Sequence, residues 1–328
     1  MKIKRFTGNP YEIGFQRGSE LADLPMPDVA RSEVAFAGAC RGCVEELHPP
    51  LVEMFEGMLA GGGFDRDRFT VYFFARKQGM LRGCTNFAAL PPLTRDGAVI
   101  AGRNYDWVYS DLKWCELRYL HVEGAFPILS YTHHWVGHPD CLNREGLFIA
   151  ISSLPGQASR GPGVQWNLMV DALSATCRRV DEAERLLRSV HHLRSIAYLI
   201  VDAQGGAFVA EAVPGSVRVR RPESGYVIAT NHMLGEADAS VRARRSQVRY
   251  SRVEEVLRAR AGRVDEAVAK EILSDHDCTI CSGAHGGHAS GDWGTIWSSV
   301  CRPDLPAVQI APGHPCEVAY ETVTFEMI

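Results

Sequence analysis

Leu81-Arg82-Gly83-Cys84-Thr85-Asn86-Phe87 is where the chain changes texture. Before it, apolar residues recur at helical spacing; after it come short apolar runs separated by Gly- and Pro-marked turns. Farther along the first β-rich run stands Gly102-Arg103-Asn104-Tyr105-Asp106-Trp107. A cysteine becomes a strong nucleophile when something lowers its pKa or takes its proton. Cutting the Gly83–Cys84 bond would give Cys84 a free α-amine, whose reference pKa of roughly 7.7–8.0 suits a general base. The base would then sit on the same residue as the thiol, and no histidine would be needed. Gly83 suits such a cut, because attack of the thiol on its own upstream carbonyl needs an uncrowded, strained backbone. On spacing alone, a buried free cysteine at a strand start is the simpler account of Cys84.

Toward the N-terminus the sequence predicts a short strand over 2–7 and helices over 10–21, 28–47, 49–63 and 66–78. Pro10 fits a first helical turn, Asp65 fits a cap, and Gly61-Gly62-Gly63 is a strong stop. Toward the C-terminus strands are predicted over 87–90 and 98–107, joined by a turn at Thr94-Arg95-Asp96-Gly97, then over 116–122, 128–134 and 147–151. Helices over 164–177 and 180–190 precede a meander over 196–202, 207–213, 217–220 and 226–230. Helices over 240–260 and 264–273 follow, then a Gly/His-rich loop over 282–294 and closing strands over 295–301, 307–311 and 317–325. Strands come in hairpins and helices in pairs. That order points to an α+β protein with two antiparallel sheets and helical layers outside, and it excludes a doubly wound parallel sheet, whose strands and helices alternate singly.

The 328 residues suffice for a sizeable core, and 46% hydrophobic with 23% charged residues is a globular composition. A net charge of −4 favours neither nucleic acid nor an anionic membrane as partner. The basic N-terminus leads into no apolar h-region, and no apolar run approaches a membrane span of roughly 20 residues. A cytoplasmic location is expected, and the ten cysteines then read as reduced thiols. Of the two CxxC pairs, Cys40 with Cys43 falls in a helical pattern, and Cys278 with Cys281 lies far away; chance pairs account for both.

Arg103 and Asp106 stand near enough in sequence to serve Cys84. In a regular strand 104 and 106 share one face and 103 the other, so a bend at Gly102 or Tyr105 would be needed to turn both toward one site. Asp106 could then bind and orient the α-ammonium, and Arg103 could hold the thiolate. The alternative is a solvated pair at a strand end.

Gly83-Cys84-Thr85 followed by Gly102-Arg103-Asn104-Tyr105-Asp106-Trp107 resembles the N-terminal-nucleophile hydrolases of the acyl-CoA:6-aminopenicillanate acyltransferase group, relatives of choloylglycine hydrolase and penicillin V acylase. The segment from Gly8 to Gly18 is similar to the family's start. Asn143 in Leu142-Asn143-Arg144-Glu145-Gly146-Leu147, Asn231 in Ala229-Thr230-Asn231-His232, and Arg249 before Tyr250 continue the match in order. The resemblance implies a four-layer αββα sandwich. It implies an inactive precursor that cuts itself at Gly83–Cys84, giving a helical segment, 1–83, and a catalytic segment, 84–328, that stay associated as one integrated domain. It assigns Asn231 an oxyanion-hole donor and Arg249 a supporting role, and makes Asn143 and Thr85 candidate oxyanion or substrate contacts. Oxyanion donors are worth roughly 2.7–4 kcal/mol each. Without the resemblance, Asn231 reads as a turn asparagine, and the run Arg242, Arg245, Arg249, Arg252 as one solvated helix face.

The function so implied is hydrolysis of a linear, non-peptide amide through a thioester acyl-enzyme, without cofactor or metal. Acyl transfer between CoA and an amine is the alternative, and a non-catalytic small-molecule binder a third. His276, Cys278, Cys281, His285 and His288 form a Cys/His-rich stretch that relatives carry without needing a metal. His133, His134 and His138, near Trp135, read as pocket-lining or surface-loop histidines.

Overall fold

In a computed structural model, residues 1–327 are described apart from 23, 77–82, 237, 239 and 284–291. The N-terminal part comprises strand β1 (Ile3–Gly8) and helices α1 (Pro10–Ser19), α2 (Arg31–Leu47), α3 (Pro50–Gly62) and α4 (Arg66–Ala75). Asn9 caps α1 by accepting from the Glu12 N–H at 2.9 Å, and Asp65 caps α4 from Arg68 at 3.0 Å. Helices α1 and α3 lie backbone to backbone. A Cβ on Gly14 or Gly18 would collide with the Met54 or Met58 carbonyl, and one on Gly57 or Gly61 with that of Tyr11 or Phe15. Four glycines, two per helix and spaced by four, are what let the axes approach so closely.

The chain continues through β2 (Thr85–Ala89), β3 (Ile100–Val108), a 3-10 turn (Tyr109–Trp114), β4 (Glu116–Val122), β5 (Ile128–Thr132), β6 (Asp140–Asn143) and β7 (Phe148–Ser153). Helices α5 (Trp166–Thr176) and α6 (Val180–Arg188) lead into β8 (Ile196–Val201), β9 (Ala207–Val213), β10 (Ser216–Arg220) and β11 (Tyr226–Ala229). Helices α7 (Val241–Ala259) and α8 (Glu266–Leu273) precede β12 (Trp293–Arg302), β13 (Ala307–Ala311) and β14 (Glu321–Thr324).

The strands form two sheets, in the orders β1-β4-β5-β6-β7-β8-β9-β10 and β11-β2-β3-β12-β13-β14. The sheets face each other across a core that holds Ala88, Ala101, Tyr105 and Trp297 from the smaller sheet and Ala150, Leu199 and Ala210 from the larger. Helices α7 and α8 cover the outer face of the smaller sheet; Phe87, Ile100, Ile228 and Val300 meet Val253, Leu257, Ile272 and Leu273 there. Helices α5 and α6 cover the larger sheet from outside. Its β1–β4–β5 end is covered by α1 and α3 through Phe6, Ile13, Met54, Leu120, Val122 and Ile128. The architecture is the αββα sandwich expected.

Two details differ from expectation. Strand β1 pairs with β4 in parallel, Ile3 opposite Leu117 through Gly8 opposite Val122, so the larger sheet is not wholly antiparallel. The pairing also ties the N-terminal helical part into the sheet. Helix α4 is shorter than its periodicity suggested, ending at Ala75. No helix among the described residues is long and apolar enough to cross a membrane.

Candidate active site

The register of β2 against β3 builds the site. Thr85 lies opposite Asn104 and Asn86 opposite Arg103, in antiparallel pairing. Alternation sends Asn86 and Ala88 into the space between the sheets and Phe87 and Ala89 toward α7 and α8. On β3, Ala101, Arg103 and Tyr105 point between the sheets, while the Asn104 amide donates outward to the Leu273 and Ile280 carbonyls at 2.8 and 2.9 Å. Arg103 and Asp106 therefore keep to opposite faces, as a period of two requires. The bend expected at Gly102 or Tyr105 is not what unites them. Cys84 stands at the mouth of β2, with Arg103 acting on its thiol and Asp106 beside its preceding peptide. The irregularity is in the partner strand: β12 fits Thr295 opposite Asp106 and Trp297 opposite Tyr105, with Ile296 extra between them. This β-bulge re-aims Thr295, whose hydroxyl donates to Asp106 Oδ1 at 2.7 Å.

Arg103 is fully buried. Its Nε lies 2.6 Å from Asp140 Oδ2 on β6, and its Nη1 donates to Asn86 Oδ1 at 2.8 Å and to the Ile151 carbonyl at 2.7 Å. The guanidinium also sits 4.8 Å from the Tyr105 ring centre. Trp297 Nε1 donates to the same Asp140 oxygen at 3.1 Å. Removing one member of a buried ion pair strands the other, which costs about 3–5 kcal/mol. Asp140→Ala is thus expected to lower unfolding stability by about that amount in urea titration; a loss comparable to a surface mutation would show that Arg103 has other support.

Two ionisable groups that act on Cys84 keep an atom to spare. Arg103 Nη2 and Asp106 Oδ2 are buried and have no hydrogen-bond partner among the described residues. Burial pushes the Asp106 carboxyl up to about 8, against the pull of Arg249, the Thr295 hydroxyl and Arg103. Burial also pushes the fully enclosed Cys84 thiol up, while Arg103, Arg249 and the Asp106 backbone N–H favour the thiolate. Gly83, at φ +108°, occupies the left-handed region. A Cβ there would collide with Asp106 Oδ2 and stand 3.1 Å from the Trp293 ring.

Asn231 follows β11 and completes the group. Its Oδ1 accepts from the Gly83 N–H at 3.1 Å and from Arg249 Nη2 at 2.8 Å. Its Nδ2 donates to the Ser153 carbonyl at 3.0 Å. A guanidinium has no acceptor and a backbone carbonyl no donor, so these partners fix which way the amide points. Ser246 braces the turn by accepting from the Asn231 N–H at 2.6 Å. Helix α7 carries Ser246 and Arg249 on one face, three residues apart. The basic run is therefore not one solvated face: Arg249 is buried, and Arg242 donates to Ser153 Oγ at 2.9 Å.

Asn143 is not brought to this group. Its Nδ2 donates to the Ser174 and Cys177 carbonyls at 2.9 and 2.7 Å, and its Oδ1 accepts from the Leu147 N–H at 2.9 Å. It closes the β6–β7 turn onto the end of α5. Thr85 adjoins Cys84, and its hydroxyl is buried without a hydrogen-bond partner among the described residues. His133 and His134 are buried rather than loop-exposed, both within hydrogen-bond reach of the Tyr105 hydroxyl at 3.1 and 3.0 Å. His138 pairs with Asp171 at 2.6 Å. His285 and His288 lie outside the described residues. Sequence reasoning missed Asn86, Asp140, Ser153 and Thr295. A cavity under α3, lined by Leu51, Met54, Leu120, Ile128 and Asp171, does not reach Cys84.

Several solved structures share the architecture. A mutant of the conjugated bile acid hydrolase of Clostridium perfringens superposes with a TM-score of 0.56 at 12% identity, over 75% of this chain and 93% of that one. Penicillin V acylase of Agrobacterium tumefaciens gives 0.52 at 12%, over 75% and 87%. An N-acylethanolamine-hydrolyzing acid amidase ortholog of Caenorhabditis elegans gives 0.50 at 13%, over 74% and 100%. At such identities the likeness is one of fold, that of the N-terminal-nucleophile hydrolases. No curated protein sequence matches the chain. The family model described as acyl-coenzyme A:6-aminopenicillanic acid acyl-transferase matches residues 93–317, which include Arg103, Asp106, Asn231 and Arg249. That is well over half of the sequence, and the chain belongs to this acyl-transferase family.

Proposed function

We propose that the protein is a self-processing amidohydrolase whose nucleophile is the Cys84 thiol. One observation carries the reading: Asp106 Oδ2, buried and without a hydrogen-bond partner among the described residues, faces Gly83, and the buried Arg103 guanidinium, whose Nη2 likewise has no partner there, acts electrostatically on the Cys84 thiol. Buried polar atoms are normally satisfied. Each atom here matches a group that cutting the bond would create, the α-ammonium for the carboxylate and the thiolate for the guanidinium.

In the first reaction the Cys84 sulfur attacks the Gly83 carbonyl carbon. The C–N bond breaks, the nitrogen takes a proton and becomes the α-amine, and Gly83 is left as a thioester on sulfur. Water hydrolyses the thioester, releasing the Gly83 carboxylate and the free thiol. Asp106, kept largely protonated at neutral pH by burial, ionises once the ammonium lies beside it. Departure of Gly83 uncovers Cys84 and vacates one of the two donors at Asn231 Oδ1. In the second reaction the α-amine takes the thiol proton, the sulfur attacks a substrate amide, and the Asn231 amide steadies the oxyanion. The amine leaves, and water completes the cycle. Residues 1–83 remain in place through β1 and the shared core.

The substrate class we favour is a linear, non-peptide amide; the proteins of like fold are a conjugated bile acid hydrolase, a penicillin V acylase and an N-acylethanolamine-hydrolyzing acid amidase. The family description favours a second reading, in which an acyl-CoA loads Cys84 and an amine accepts the acyl group.

Intact mass and denaturing gels of wild type beside Cys84→Ala test the scheme. Wild type is expected as two fragments meeting at Gly83–Cys84, and Cys84→Ala as one chain without amidase turnover. An uncut wild type that still turns over amides would sink the α-amine role; a Cys84→Ala protein that is cut would sink the thiol's part in processing.

A further inference from the structure

We propose that His276, Cys281 and Cys316, completed by His314, form a structural zinc site, independent of the amidase reading. The ligating atoms of His276, Cys281 and Cys316 lie within 4.8 Å of one another. Cys281 Sγ stands 3.7 Å from Cys316 Sγ and 4.0 Å from His314 Nδ1; His314 lies just outside the cluster of three and would shift inward to complete a tetrahedron. Tetrahedral zinc with Zn–S bonds of about 2.3 Å holds its two thiolates about 3.8 Å apart. A disulfide would bring them to about 2.05 Å. The sulfur spacing fits two ligands sharing a metal and excludes a disulfide, although an S–H···S contact spans the same distance. Two thiolates and two neutral imidazoles also give Zn²⁺ a set of soft donors that balances its charge.

The surroundings support this. A ligating histidine fixes its ring by donating from its other nitrogen. With Nδ1 turned toward Cys281, His314 presents Nε2 to the Tyr109 hydroxyl at 3.2 Å. The four residues come from two segments far apart in sequence: the turn after α8 carries His276 and Cys281, and the connection from β13 to β14 carries His314 and Cys316. His276 and Cys316 are exposed and Cys281 is buried, so a metal could enter from solvent and seat against the core. Cys281 meets Cys316, which lies 35 residues away in sequence.

The position gives the metal a task. Ser282, the next residue, donates its N–H to Thr295 Oγ1 at 2.9 Å and accepts from the Thr295 N–H at 2.8 Å. Thr295 in turn holds Asp106 Oδ1 at 2.7 Å. A metal clamping Cys281 to Cys316 would fix Ser282, and through Thr295 the buried carboxylate. It touches no reacting atom and acts by positioning.

The test is elemental mass spectrometry of the whole protein, with cobalt substitution. About one zinc per chain is expected in wild type and in Cys84→Ala, falling at least about tenfold in Cys281→Ser and Cys316→Ser. Cobalt added to metal-stripped wild type should give a thiolate charge-transfer band and tetrahedral d–d bands. His276→Gln and Cys316→Ser, at exposed positions where folding is undisturbed, should weaken or abolish them. Wild type that carries no zinc and develops no cobalt bands would overturn the proposal. A Cys281–Cys316 disulfide in the non-reduced peptide map would do the same.

Discussion

Gly83→Ala is expected to leave the protein as one uncut chain with no amidase turnover. Two effects combine at this residue. Its φ of +108° lies where a residue with a Cβ is strained. The Cβ itself would also strike Asp106 Oδ2. That oxygen cannot easily retreat, because Thr295 grips its companion at 2.7 Å and the side chain is fully buried. Relief must come from the backbone. Turning φ negative would reorient the Gly83 peptide and strain the hydrogen bond from the Gly83 N–H to Asn231. Gly83 takes no part in catalysis after the cut, so lost turnover must come with lost processing. Intact mass decides the matter: a cut Gly83→Ala protein with normal turnover would show that the left-handed glycine is dispensable for processing. Asp106→Asn shortens nothing and serves as a control for shape without charge.

The fold was largely legible from Cys84 outward because most strands are apolar runs set off by turn residues. The runs around Glu116–Val122 and Ala207–Val213 illustrate it: both are strands bounded as expected. What local pattern could not supply was pairing at long range. Nothing in Ile3–Gly8 says that it joins Glu116–Val122 in parallel across four helices. The site divides the same way. Cys84, Arg103 and Asp106 lie on neighbouring strands of one hairpin, so their nearness follows from spacing once the turn at Gly97 is placed. Asp140 reaches Arg103 from the opposite sheet, and Thr295 reaches Asp106 through a bulge; sequence distance carries no trace of either. Asn143 was legible as a motif and misleading as a site, since asparagine closes a turn by the same hydrogen bonds that would hold an oxyanion.

Asn231→Asp is expected to fold, to keep Arg249 bound, and to lower kcat by about 10²–10³ in whatever fraction of the protein is cut. The hydrogen bonds explain why aspartate is more informative than alanine. Oδ1 accepts from Arg249 Nη2 at 2.8 Å, and a carboxylate would accept that bond more strongly. Nδ2, the only donor end, already spends one N–H on the Ser153 carbonyl at 3.0 Å. Among the described residues its one further contact is a long one to Ser153 Oγ, at 3.5 Å, which leaves a second N–H to turn to an oxyanion. Aspartate preserves the acceptor and deletes both donors. If the role of Asn231 were only to anchor Arg249, kcat would stay near wild type. If it donates to developing negative charge, kcat falls while KM changes little, because the interaction belongs to the transition state. Asn231→Ala does not separate these cases, since it also strands the buried Arg249 guanidinium and adds a stability loss. Steady-state kinetics on the cut fraction, normalised by mass, distinguish them; an Asn231→Asp enzyme with full kcat would move the oxyanion donor to another group.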